Sequence, residues 1–153
     1  MSGKAAVEIA QQRPFTCLEE EAFINIARSY EHLQQGFTEL FRNYNLSTTQ
    51  YNVLRILRGA GAEGLSCREV AQRMISHDPD ITRLFDRLEA RGLVRRERSS
   101  ADRRIVLAFI TPAGLTLLEA ADAPVIALHR EQMSRLSPEQ IEQLVGLLEL
   151  LRP

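Results

Sequence analysis

Residues 81–114 read ITRLFDRLEARGLVRRERSSADRRIVLAFITPAG, and the change of period within this run decides the fold. Ile81, Leu84, Phe85 and Leu88 recur at helical spacing, and Gly92 follows as a left-handed C-cap, so a short amphipathic helix closes there. Directly behind it, Val94 to Arg98 and Ile105 to Ile110 read as two strands around the polar segment 99–104, which makes a hairpin with a basic loop. In front, Ser66 and Glu69 stand at capping-box spacing, with Leu65 and Val70 as the hydrophobic staple. They open another short helix whose buried side is Val70, Ala71 and Met74. The segment ISHDPD, 75–80, breaks that helix and starts the next, with Asp78 as cap and Pro79 in the first turn. Period counting alone does not separate this from an unrelated small α+β domain, but two short helices, a tight connection and a basic hairpin in this order agree with a winged helix-turn-helix.

Outward from this module, helical stripes occupy both ends of the chain. Ile26, Tyr30, Leu33, Phe37, Leu40 and Tyr44 alternate steps of four and three, a heptad-like seam on a helix of about 25 residues, roughly 37 Å long. That exceeds the needs of a small domain and predicts contact with a partner subunit. Ser47 and Gln50 cap a further helix carrying Val53, Leu54, Ile56 and Leu57, which Gly59, Gly61 and Gly64 end. These glycines lack the following Gly-Lys-Ser/Thr of a phosphate loop. Thr111-Pro112 starts another helix, which Pro124 is expected to kink or divide. Ser137-Pro138 with Gln140 starts the last, carrying Ile141, Leu144, Val145, Leu148 and Leu151. The expectation is a mainly α single domain over 1–153 with a small β-hairpin wing. Residues 47–110 form its DNA-binding lobe, and 18–44 and 112–151 are dimerisation helices that pair with each other.

Composition sets the outer bounds. A chain of 153 residues, 44% hydrophobic and 25% charged, buries one real core. No stretch approaches 18 uncharged apolar residues, and the opening MSGKAAVEIAQQRP has no continuous apolar segment, so a cytoplasmic protein with no membrane partner is expected. Cys17 and Cys67 lie 50 positions apart without a Cys-x-x-Cys spacing and give no disulfide framework. The net charge of -1 hides an asymmetry. Residues 66–104 hold ten arginines against seven acids, whereas the rest holds nine Lys and Arg against thirteen, as suits a DNA-facing module on an acidic frame.

Arg83, Arg87 and Arg91 share one helix face by their four-residue spacing, roughly opposite the apolar stripe. Thr82 and Arg83, near the helix start, are assigned to base edges or adjacent phosphates, and Arg87 to phosphate or base. Arg91 is assigned to phosphate or an intramolecular carboxylate. The competing reading is a solvated face laced by Asp86, Glu89 and the arginines. Asp80 either accepts from a cytosine amino group or pairs with Arg83, and the pairing is preferred. His77 is a neutral phosphate contact or a turn residue. In the wing, Arg103 is the minor-groove tip, while Asp102 and Arg104 form a supporting ion pair. Arg95, Arg96 and Arg98 are phosphate-positioning candidates, and strand alternation turns at least one of them, balanced by Glu97, away from the duplex. Arg96 and Arg98 are retained in the DNA-binding set.

The run 81–114 resembles the multiple antibiotic resistance regulator (MarR) family. The recognition helix running into Gly-Leu-Val at 92–94, Asp-Arg-Arg at 102–104 and Thr-x-x-Gly at 111–114 carry the likeness. LSTTQYNVLRIL at 46–57 looks like that family's second helix, so the resemblance covers the chain. It implies a homodimer on a pseudo-palindromic double-stranded DNA operator, with recognition helices in successive major grooves and wings in flanking minor grooves. It also implies repression, with release by a small aromatic or anionic effector. Asp78-Pro79-Asp80 departs from the family's serine- and threonine-rich helix start, which affects the bases preferred and not the fold. Some relatives sense oxidants through an amino-terminal cysteine. Cys17 lies in that region, but it has no nearby tyrosine pair and is followed by Glu19, Glu20 and Glu21. His32, His77 and His129 are scattered, with no His-Glu-x-x-His motif, and neither an enzyme, a cofactor nor a metal is expected. The alternative is a winged helix serving protein interaction or DNA architecture without sequence reading.

Overall fold

The computed structural model describes residues 3–76 and 80–152. The chain divides after Glu39 into two compact units, and the division falls within one long helix. The first unit holds α1 (Lys4–Glu8) and most of α2 (Leu18–Arg42). Ala5 and Ala6 are buried, and Glu8 pairs with Lys4 at 3.3 Å and Arg28 at 3.8 Å. Glu19, Glu20 and Glu21 crowd the first turn of α2, where the helix dipole favours them. The α1 helix carries no periodic stripe, and nothing in the sequence pattern announces it.

The second unit contains α3 (Thr48–Ala60), β1 (Leu65–Ser66), α4 (Cys67–Arg73), α5 (Ile81–Ala90), β2 (Val94–Arg98), β3 (Val106–Ile110), α6 (Pro112–Gln132) and α7 (Pro138–Leu150). The sheet is antiparallel in the order β1-β3-β2, with Leu65 opposite Ala108 and Arg96 opposite Ala108 from the other side. The capping boxes expected at Ser47 and Ser66 form, and the helix start at Ser137 forms a third. Ser47, Ser66 and Ser137 each accept from the backbone N–H three residues on, and Gln50, Glu69 and Gln140 answer in return. Val53, Leu54, Leu57, Val70, Phe85, Leu88, Ala108 and Leu118 form the heart of the core. Asp78, expected to cap α5, and Pro79 lie outside the described residues. The N-cap position falls on Asp80, whose side chain makes no capping bond.

Two local devices fix the exits from α5 and from the wing. Gly92 has φ +69°, and the N–H groups of Gly92 and Leu93 reach back to Glu89 and Leu88 at 2.8 and 3.0 Å, a left-handed helix stop. Thr111 then donates its hydroxyl to the Gly92 carbonyl at 2.6 Å and accepts from the Gly114 N–H at 3.1 Å. Any side chain at 114 would drive its Cβ into the Leu93 carbonyl oxygen. The spacing Thr-x-x-Gly is therefore a joint between the wing module and α6.

Pro124 does not divide α6, contrary to one of the two outcomes expected from the sequence. The helix runs from Pro112 through Pro124 to Gln132. A proline removes the donor for the carbonyl four residues earlier, here Ala120, and that carbonyl accepts from the Tyr44 hydroxyl at 3.0 Å. The two-carboxylate-oxygen grip of Arg58 on Asp122, 2.8 to 3.1 Å, joins α3 to α6 beside it. No helix among the described residues is long and apolar enough to cross a membrane.

If the Tyr44 hydroxyl replaces the donor that Pro124 lacks, Tyr44→Phe lowers stability by about 1 kcal/mol. The same change in a Pro124→Ala background, where the backbone N–H of residue 124 serves Ala120, costs markedly less. Urea unfolding of the four proteins measures this coupling directly.

Candidate nucleic-acid interface

The α5 helix buries Leu84, Phe85 and Leu88 and exposes Thr82, Arg83, Asp86 and Arg87, the division its periodicity predicts. Its C-terminal end is moored by Arg91, whose guanidinium donates to the Asn45 carbonyl at 2.5 Å and the Tyr44 carbonyl at 3.4 Å. Neither a phosphate nor a carboxylate is needed to account for Arg91, and its acceptors are backbone oxygens. Arg83 pairs with Asp80 at 3.2 Å, with 75% of its side chain exposed. The side chains of Thr82 and Arg87 are exposed and make no hydrogen bond or ion pair among the described residues. His77 lies outside the described residues.

The wing sorts its arginines sharply. Arg95 stacks over the Phe109 ring at 4.2 Å and pairs with Glu97, so it is the arginine balanced by Glu97. Strand alternation turns Arg96 to the other face, toward α5. There its Nε donates to Glu89 at 2.9 Å, its terminal nitrogen donates to Glu89 at 2.5 Å and Asp86 at 2.6 Å, and its backbone N–H donates to Glu89 at 3.1 Å. Only 22% of the Arg96 side chain, expected to position a phosphate, is exposed, and its donors are engaged by two carboxylates of α5. Arg98 reaches the Arg103 carbonyl at 3.2 Å, holding the loop from within.

The expected ion pair between Asp102 and Arg104 takes a different form. Asp102 accepts from the backbone N–H of Arg104 at 2.9 Å, a tight Asx-type turn that occupies the carboxylate locally. Ser99 accepts from the N–H groups of Ala101 and Asp102 at 3.2 and 3.4 Å. The loop is thus shaped by its own backbone, and the guanidinium groups of Arg103 and Arg104 are without partners among the described residues. Arg104, expected from the sequence to be a support, is instead a cation left to solvent. Cys17 is exposed, and burial pushes the Cys67 thiol up.

Residues 44–105, from the end of α2 through the wing loop, match the model of the MarR family. A MarR transcription factor from Planctomyces limnophilus is 40% identical, its structure superposing with a TM-score of 0.69 over 89% of this chain and 98% of that one. The chain belongs to the MarR family. The homoprotocatechuate degradative operon repressor of Escherichia coli is 26% identical across 82% of this chain and 84% of its own. BpsR of Bordetella bronchiseptica, whose DNA binding is regulated by 6-hydroxynicotinic acid, is 25% identical with a TM-score of 0.76 over 86% of this chain and 98% of its own. Members of the MarR family are transcription regulators built on a winged helix, and this chain is one of them.

In this MarR-family chain, Arg96 has an electrostatic consequence that can be read in solution. Its hydrogen bond holds the Glu89 carboxyl below the ordinary carboxylate range, and Glu89 in turn raises the Arg96 guanidinium. A depressed carboxyl contributes stability above its unfolded pKa of about 4.3 and loses it as pH falls through the folded value. Glu89 is partly exposed, so solvent screening keeps the net contribution near 1 kcal/mol. Wild type therefore unfolds roughly 2–4 °C above Arg96→Met near neutral pH, and the gap closes as pH falls below about 4.3. Thermal melts across that range test it.

Proposed function

We propose that the chain is a homodimeric transcriptional repressor that reads a pseudo-palindromic operator in double-stranded DNA. Its α5 helix enters the major groove and its wing the adjacent minor groove. The observation that carries this reading is the sorting of arginines. Arg91, Arg95, Arg96 and Arg98 are occupied within the chain, whereas Arg87, Arg103 and Arg104 present guanidinium groups, unpaired among the described residues, on α5 and the wing tip. Thr82 and Arg83 stand at the start of α5, where base edges are met. Arg83, oriented by Asp80, presents its fork to a guanine or a phosphate.

The homodimer follows from apolar surface that a lone chain leaves in water. Leu18, Phe23, Ile26 and Tyr30 on α2, and separately Val145, Leu147, Leu150 and Leu151 at the C-terminal end, are half or more exposed in most cases, and a second copy covers them. Control by a small aromatic or anionic effector and repression are carried over from BpsR and the homoprotocatechuate repressor. A DNA-directed regulator of this kind works in the cytoplasm.

Selection of duplexes from a randomised pool at about 150 mM salt yields an inverted repeat with half-sites about one helical turn apart. On that duplex, Arg103→Ala, which removes one phosphate or groove contact per subunit, lowers the slope of log affinity against log salt by about two. Failure to enrich any sequence by folded protein points to the protein-interaction or architectural winged helix instead.

A further inference from the structure

The recognition helix passes into the wing through one turn, in which Gly92 holds φ +69°. A turn fixes where β2 starts more firmly than where it points. Leu88, Leu93 and Val94 are buried around it, but apolar packing is non-directional. Direction comes from Arg96, in the middle of the strand. Its backbone N–H, Nε and a terminal nitrogen all donate to Glu89, and that terminal nitrogen also reaches Asp86. The turn at 92 and the clamp at 96 are two separate ties between α5 and β2, and a second tie removes the rotation that the first allows. Stability alone is a weak reason for such a cluster, because desolvation offsets most of the attraction.

From Arg96 the constraint runs to the wing tip through bonds within the hairpin. Arg96 lies opposite Ala108 and Arg98 opposite Val106. Beyond the strand ends, the Ser99 N–H donates to the Ile105 carbonyl at 2.9 Å and the Ile105 N–H to the Asp102 carbonyl at 3.0 Å. The Arg98 guanidinium then holds the Arg103 carbonyl at 3.2 Å. The tip is therefore tied to β2, and β2 is tied to α5 at Arg96.

We propose that Arg96 is a positioning residue that sets the spacing between the two groove contacts: by clamping β2 to Glu89 and Asp86, it fixes where the wing tip stands while α5 lies in the major groove. This role rests on the DNA-reading function proposed above. Arg96 acts through the wing tip and not on the DNA itself. Its loss weakens the flanking minor-groove contact, where a guanidinium must enter a narrow groove, and spares the inner one.

The test uses the selected duplex and the same duplex cut back to its inner half-sites, so that the flanking minor grooves are missing. Wild type binds the full duplex more tightly, and the ratio of the two affinities reads the wing contact. Arg96→Met is expected to lower that ratio about tenfold while holding affinity for the short duplex within about twofold. Glu89→Ala opens the same clamp from the other side and is expected to lower the ratio alike, although it removes a negative charge from a DNA-facing lobe. In an Arg103→Ala background, whose tip contact is already gone, Arg96→Met changes the ratio by less than about twofold. A wild-type ratio in Arg96→Met overturns the proposal. So does an equal loss on both duplexes, which marks a general structural role. A higher full-to-short ratio in Glu89→Ala also overturns it, because it marks Arg96 as a direct phosphate contact that Glu89 restrains. If wild type binds both duplexes equally, the wing does not read the flank, and the proposed DNA-reading function fails together with this role.

Discussion

A guanidinium that is only 22% exposed must be answered by acceptors, and the way Arg96 is answered governs the rest of the lobe. Glu89 and Asp86 lie one helical turn apart on α5, and both turn toward β2 to meet it. Recognition helix and wing are thereby joined by several charge-assisted bonds and not by apolar contact alone. Alternation along β2 then sends Arg95 to the opposite face, over Phe109. The Phe109 ring in turn lies against Gly64, which has φ +65° and no room for a Cβ, the ring carbon standing 2.5 Å from where one would be. The placement of one partly buried arginine thus bears, through the alternation of the strand, on the turn that precedes β1.

The connection from this lobe to α6 uses backbone chemistry. Thr111 bridges the carbonyl at the end of α5 and the first turn of α6, and Gly114 keeps that approach open. Farther along, α6 survives its internal proline because Tyr44 donates to the carbonyl that Pro124 leaves unserved. The same residue's own carbonyl receives Arg91 from α5. Tyr44 therefore serves α6 with its hydroxyl and α5 with its backbone, and the turn after α2 is a shared support for the two helices that flank the wing.

Much of this was legible in the residues. Capping boxes at Ser47, Ser66 and Ser137, the glycine stop at 92, the period-two strands and the arginine ladder on α5 are local patterns, and local patterns survive in the fold. The preferred pairing of Asp80 with Arg83, three residues apart on one helix, is of the same kind. What escaped was non-local or depended on direction. Periodicity could tell that one wing arginine faces away from a duplex but not that Arg96 would find two carboxylates from another element. It could place Asp102 beside Arg104 but not decide between guanidinium and backbone as its partner. Pro124 read as a kink or a division because the donor that serves Ala120 lies 80 positions upstream of it, at Tyr44, beyond any local pattern.

On the proposed DNA-reading function, α5 lies in a major groove and the wing tip in the neighbouring minor groove. Methylation interference on the selected duplex separates the two, because guanine N7 lies in the major groove and adenine N3 in the minor. Interference is expected at guanine N7 in two inner patches about one helical turn apart, flanked on both outer sides by interference at adenine N3. Replacing Arg103 with alanine should abolish only the outer adenine pattern. Interference confined to one groove, or an outer pattern indifferent to Arg103, would contradict it.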